Sequence, residues 1–237
     1  MPTAFNLVWD ADGQRKYETG VDRGVIYQKT SGADPYPKGV AWNGLTAATE
    51  RPSGGDPSSY YADNIEYLKL RAAEKFGVTI EAYTYPDEFA ECDGSAIVVA
   101  GVYAGQQRRK AFGFSYRTLI GNDEEENDYG YKIHLVYGLT ASPSERNRNT
   151  VNESPEPGNF SWECEAQAIK LDGSGFRPVA HIEIDSTQVD ATLLAQLETI
   201  LYGTAATTGA NASPAVEGRL PLPLEVFQLF GWTPPAG

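Results

Sequence analysis

Five stretches of this chain alternate apolar and polar side chains with a period of two, a spacing that argues strands rather than helices over those residues. Val78, Ile80 and Ala82 alternate with Thr79, Glu81 and Tyr83, and Phe112, Phe114 and Tyr116 with Gly113, Ser115 and Arg117. Tyr131, Ile133, Leu135 and Tyr137 alternate with Lys132, His134 and Val136. Phe160, Trp162, Cys164 and Ala166 alternate with Ser161, Glu163, Glu165 and Gln167, and Ala180, Ile182 and Ile184 with His181, Glu183 and Asp185. A strand with one apolar and one polar face belongs to an antiparallel sheet covered on one side. Weaker strand candidates are 5–9, 24–29, 45–50 and 65–71. The 24 Gly and 15 Pro supply frequent turns, and the 14 Tyr and 4 Trp suit a sheet-rich chain. A mainly β fold is expected, an antiparallel sandwich or barrel.

Helical spacing shows in one place. Val189, Leu193, Leu197, Ile200 and Leu201 fall on one stripe, with Ser186 and Thr187 before it as N-cap candidates, Asp190 in the first turn and Gly203 as the stop. This predicts one flanking helix over about 187–202. A short second helix is expected from Leu224 to Phe230. Gly, Pro and Ser mark 30–64 as a long loop, with shorter loops at 121–130 and 141–159. A loop of that length usually signals function or a partner. Residues 204–218 have the composition of a linker, so 1–203 is expected to be one domain and 204–237 a linker with a C-terminal extension.

The chemistry in the sequence is sparse. There is no Gly-x-Ser-x-Gly elbow, and no Ser-x-x-Lys with its partner motifs. The only imidazoles are His134 and His181, both on polar faces of their strands. Cys164 lies on the apolar face of its strand, where a thiol packs as a small hydrophobe rather than as half of a Cys–His dyad. Neither histidine has a second imidazole or a thiol two or four residues away, so no metal site is expected. Asp10-Ala11-Asp12-Gly13 begins like a calcium loop, but Gln14 takes the third ligand position and Val21 the twelfth. The acidic run Asp123, Glu124, Glu125, Glu126 and Asp128 reads as a solvated hairpin loop. Glu163 with Glu165, and Glu183 with Asp185, are carboxylate pairs of the kind glycoside hydrolysis uses. Among 32 acidic residues such pairs arise by chance. Gly101 and Gly105 do not build a phosphate-cradling Gly-x-Gly-x-x-Gly. No catalytic residue and no cofactor is expected.

The balance of 19 basic and 32 acidic residues gives a net charge of −13, which argues against wrapping nucleic acid, because phosphate binding needs clustered Lys and Arg. The longest apolar stretch, Ala96 to Gly105, is about half of the 18 or more residues that cross a bilayer. Met1 to Gly13 lack a basic segment followed by an apolar one, so no secretory signal is expected. Two cysteines are too few for a disulfide framework and suit a reducing cytoplasm. Long loops, an acidic surface and no site describe a structural or interaction module.

An ordered series of short stretches resembles the major tail proteins, or tail tube proteins, of long-tailed non-contractile bacteriophages. It opens with Gly20-Val21-Asp22-Arg23-Gly24-Val25-Ile26-Tyr27, Gly39-Val40-Ala41-Trp42-Asn43-Gly44-Leu45 and Tyr61-Ala62-Asp63-Asn64-Ile65-Glu66-Tyr67-Leu68. Thr79-Ile80-Glu81-Ala82-Tyr83-Thr84-Tyr85-Pro86-Asp87-Glu88-Phe89 is the most specific, followed by Cys92-Asp93-Gly94, Phe114-Ser115-Tyr116-Arg117, Gly121-Asn122-Asp123 and Asp128-Tyr129-Gly130-Tyr131-Lys132. Ala141-Ser142-Pro143-Ser144-Glu145 and Ile184-Asp185-Ser186-Thr187 complete the series, which spans about residues 17–205.

The resemblance implies a building block. Such subunits form hexameric rings that stack into a hollow tube, with sheets joined into a lumen-lining barrel and one helix flanking it. The tube holds a tape-measure protein, later conducts DNA, and meets tail terminator and distal tail proteins at its ends. It is assembled in the host cytoplasm, ends in the virion and does not bind membranes. An N-terminal arm and a long loop bridge successive rings. The implied lumen-facing candidates are Glu163, Glu165, His181, Glu183 and Asp185, which would repel DNA. The inter-ring candidates are Phe5, Trp9, Tyr36, Trp42 and Leu45. Alternative readings are a secreted carbohydrate-active or carbohydrate-binding β-sandwich, and the inner tube of a contractile injection device.

Overall fold

The structure, a computed structural model, describes residues 7, 9, 11–146, 148, 150, 157–207 and 213–234. The strands are β1 (Tyr17–Gln28), β2 (Gly39–Trp42), β3 (Leu45–Glu50), β4 (Ser53–Gly54), β5 (Pro57–Ala62), β6 (Ile65–Arg71), β7 (Glu74–Lys75) and β8 (Gly77–Ala82). A 3-10 turn, Asp87–Glu91, precedes β9 (Ala96–Val99), β10 (Val102–Ala104), β11 (Phe112–Asn122), β12 (Glu126–Ala141), β13 (Phe160–Ala166) and β14 (His181–Asp185). Two helices follow, α1 (Ala191–Tyr202) and α2 (Pro223–Leu229). The fold is mainly β and antiparallel, with α1 flanking the sheet.

The main sheet runs β2-β1-β11-β12-β13-β8-β3, and β14 pairs with β12 beside β13. β2 and β3 stand at opposite ends of that order, yet only Asn43 and Gly44 separate them in sequence. A link that short spans at most about 11 Å. The sheet must therefore roll until its ends meet, and β3 lies against β1. The roll gives the sheet an inside and an outside, and both are filled. The inner core holds Ile26, Trp42, Ile80, Phe114, Val136 and Trp162. The outer core holds Tyr27, Ile133, Leu135 and Ile184 under Leu197 and Leu201 of α1, each buried leucine contributing roughly 1.5–3 kcal/mol.

β12 is thus buried on both faces, not on one. Its alternation also changes phase: Tyr137 faces the outer core and Leu139 the inner one. A bulge between the pairs Phe114↔Val136 and Phe112↔Leu139 makes the switch. Gly138 sits in it at φ 64°, and a Cβ there would come within 2.5 Å of the Gln167 carbonyl oxygen.

Several expectations are corrected. The 30–64 loop is largely sheet: β2 and β3 lie in it, and β3, β4 and β5 pair with β8, β7 and β6 in turn to make one long hairpin. The 121–130 loop shrinks to Asp123–Glu125 between β11 and β12. Strand candidate 5–9 falls mostly outside the described residues. The helix begins at Ala191 because Asp190 caps it, accepting from the Thr192 and Leu193 amides at 2.9 and 3.1 Å. Ser186 and Thr187 are engaged elsewhere, on the Tyr131 amide and on Asp185. Within 204–237, Leu220 and Val226 are buried in the outer core, so this segment packs on the same body rather than trailing from it.

Candidate functional site

Three surfaces could carry function. The first is the hairpin that β3 and β8 begin and β5 and β6 end. From Arg51 to its tip it extends up to about 40 Å in an extended conformation. Its turn, Asp63-Asn64, takes φ of 51° and 62°, as a two-residue primed turn requires. Every residue of β5 and β6 is exposed, including Tyr60, Tyr61, Ile65, Tyr67, Leu68 and Leu70, with Tyr67 at 73%. A smaller hairpin, β9 with β10, exposes Val98, Val99 and Val102 in the same way. In the sequence the first half of this arm, β5, falls in the expected 30–64 loop and the second half, β6, matches strand candidate 65–71, while the β9–β10 hairpin shows only as the apolar stretch Ala96 to Gly105. The usable signal was the turn-forming Asp63-Asn64 between Tyr60-Tyr61 and the apolar-rich run Ile65–Arg71.

The second surface is the outward face of β3, β8 and β13, which neither helix covers. Register places Thr49, Thr79 and Glu163 in one cross-strand row, and Ala47, Glu81 and Ser161 in the next. Arg51 pairs with Glu163 and reaches Thr79 Oγ1 at 3.3 Å. Asn159 donates to Glu81 at 2.9 Å. Glu165 completes the face and is exposed.

The third is the polar mouth of the roll. On the inward face of β14, His181, Glu183 and Asp185 stand beside His134 and Lys132 of β12, with Tyr116 and Thr118 of β11 next to these and Glu18 and Glu50 closing the group from β1 and β3. Lys132 bridges Glu18 at 2.9 Å and Glu183 at 3.0 Å. These bonds, led by the one to Glu18, hold its ammonium pKa above the usual value against burial. Burial pushes Glu18 up, but the bonds from Lys132 and Thr118 outweigh it and the pKa is lowered. The imidazoles are parallel, and His134 Nδ1 lies 3.2 Å from His181 Nε2. Burial is the main cause that lowers both imidazole pKa values, opposed by Glu50 and Glu183. The Glu50 carboxylate accepts from the Tyr116 hydroxyl at 2.9 Å.

The five lumen-facing candidates therefore do not share a face. Trp162 and Cys164 point into the inner core, which turns Glu163 and Glu165 outward. Ile182 and Ile184 point to the outer core, which turns His181, Glu183 and Asp185 toward the mouth. Asp185 is also a turn former, accepting from the Thr187 amide at 2.8 Å and hydroxyl at 2.7 Å. His134, expected on a polar surface, is 3% exposed. Of the inter-ring candidates, Tyr36 and Trp42 are core residues at 1% and 3% exposure, so neither is free to meet a neighbour. Trp42 packs on Phe89, Phe114 and Trp162, and Tyr36 binds the Gly138 amide. Leu45 is half-buried against the inner core, Trp9 is exposed and Phe5 lies outside the described residues.

Cys92 and Cys164 are both buried, unpaired thiols of the inner core, and burial pushes each up to about 12. Such a thiol is protonated at neutral pH and is a poor nucleophile. Among the described residues no helix is long and apolar enough to cross a membrane. No family model matches the chain, and no curated protein matches it.

Proposed function

We propose that the chain is the subunit of a bacteriophage tail tube, joining five copies of itself in a ring and stacking ring on ring. The observation that carries this is the β5–β6 end of the long hairpin, a two-stranded ribbon whose apolar side chains all face solvent. An isolated two-stranded ribbon is marginally stable in water, and exposed apolar patches of this kind mark interaction sites. A second copy of the chain offers the cover the ribbon lacks. The resemblance to tail tube proteins and the rolled antiparallel sheet with one flanking helix agree with that role.

In this assembly the uncovered face of β3, β8 and β13 lines the channel. Glu81 and Glu165, repeated six times, would make rings of negative charge there, while Arg51 partly neutralises Glu163. At physiological salt they repel DNA phosphates over about 8 Å, which keeps DNA from adhering. The tube holds a tape-measure protein and later passes DNA, and the subunit performs no reaction. Its end partners are tail terminator and distal tail proteins, and its place is the virion.

Replacing Ser53–Lys75 with an Asn-Gly turn tests this reading. The link keeps β3 paired with β8, whose closing bond joins the Arg51 amide to the Gly77 carbonyl at 2.7 Å. The shortened protein is expected to fold with the far-ultraviolet circular dichroism of a sheet and to stay monomeric by light scattering where the full chain associates. Equal association of both would remove the hairpin's role.

A further inference from the structure

We propose that Glu50, His134 and His181 form a binding site for one divalent cation of tetrahedral preference, Zn2+ first among them, which pins the end strand of the rolled sheet to its middle. The three donor atoms are Glu50 Oε1, His134 Nδ1 and His181 Nε2, and their separations are 3.2, 3.3 and 3.5 Å. A tetrahedral zinc ion about 2.0–2.1 Å from each ligand sets its ligands about 3.3 Å apart. The triangle thus has the size the ion requires, before any ligand moves. Two imidazoles and one carboxylate are a ligand set zinc commonly takes, with a fourth position left to water. The Glu50 side chain is about one-third exposed, so that position opens to solvent.

A second observation is independent of those distances. The Thr118 hydroxyl donates to Glu18 Oε1 at 2.7 Å, and its one proton is thereby used. Thr118 Oγ1 can then only accept from His134 Nε2, 3.0 Å away. This fixes the tautomer: Nε2 carries the proton and Nδ1 presents a bare lone pair to the triangle. Glu50 Oε1 is an acceptor too, already receiving the Tyr116 hydroxyl. Three electron-rich atoms therefore meet with a single proton at most, that of His181 Nε2, among them. A cation satisfies all three at once. The Glu18–Thr118–His134 chain is the outer support that metal-bound imidazoles characteristically have.

The location gives the ion a task. Glu50 closes β3, the last strand of the sheet order, while His134 and His181 sit on β12 and β14. No ladder joins β3 to either of those strands. A bound ion would make that connection across the mouth of the roll. The residues lie 84 and 47 positions apart, which is why ligand spacing in the sequence gave no sign of them.

The test uses the full chain after removal of metal by chelation and dialysis, titrated with Zn2+ by calorimetry and with Co2+ by visible absorption. Expected are one Zn2+ per chain, a raised melting temperature on adding Zn2+, and the intense visible bands of tetrahedral Co2+. Glu50→Gln and His181→Ala, which spare the buried His134, should each remain folded and lose the Co2+ bands. Thr118→Val keeps all three ligands and should weaken Zn2+ binding about 10–100-fold. A folded wild-type chain that takes up neither ion would overturn the site. Binding that survives unchanged in both ligand variants would also overturn it, because the ion would then be held elsewhere.

Discussion

Trp162 touches four other rings, with centroids 5.1 Å away at Phe89, 5.5 Å at Trp42 and Tyr85, and 5.8 Å at Phe160. Its indole Nε1 is buried without a hydrogen-bond partner among the described residues. Trp162→Ala should cost about 3–5 kcal/mol in urea unfolding, as large cavities in aromatic cores do. Trp162→Phe should cost clearly less, because it keeps a ring in the cluster and removes the unpaired donor. The two imidazoles make a second case at this scale. Burial lowers both below the usual 6.5, against the pull of Glu50 and Glu183 on each and of Glu18 on His134. The unfolded chain then binds more protons near that pH than the folded one. The metal-free protein should keep their full contribution above pH 6.5 and lose it as the pH falls below, and thermal melts across pH 5–8 would register this. A melting temperature that rises on acidification through that window would refute it. That Trp162 and Cys164 face inward was legible from alternation. The burial of His134 was not, because a polar residue in an alternating strand looks the same whether its face meets water or the mouth of a rolled sheet.

Elements were legible in proportion to the contrast between their two faces. Candidates 45–50 and 65–71 coincide with β3 and β6, and the expected short helix differs from α2 by one residue at each end. β4 and β7 are only two residues long, and β5 is exposed on both sides, so no apolar-in, polar-out pattern announced them. Gly54, Gly55 and Pro57 looked like loop signals and in fact belong to a ribbon. The C-terminal segment was obscured differently, since the low-complexity run after Gly203 hid the anchoring residues beyond it. Leu220 is fully buried beside Tyr27 and Leu201. Leu220→Ala is therefore expected to destabilise the whole domain by about 2–5 kcal/mol. A single unfolding transition at a lower midpoint would show this, whereas a free-hanging extension would leave the midpoint where it was.

For the whole molecule, the two-residue link between β2 and β3 was visible in the sequence, but its consequence depends on which strands pair. Only once β2 and β3 stand at opposite ends of the sheet does the link force a roll. The roll in turn sends Glu163 and Glu165 outward and His181 and Glu183 to the mouth, a division alternation alone could not foresee. A net charge of −13 makes separate copies of the chain repel one another. Association should accordingly strengthen with salt, which screens that repulsion while leaving the apolar hairpin contacts intact. Electron microscopy of the concentrated full-length protein at moderate salt, beside the variant lacking Ser53–Lys75, is the most direct test of self-assembly into a tube. Hollow rings or tubes with sixfold symmetry are expected from the full chain and none from the variant. A full chain that remains a folded monomer at every concentration and salt would contradict a tube subunit.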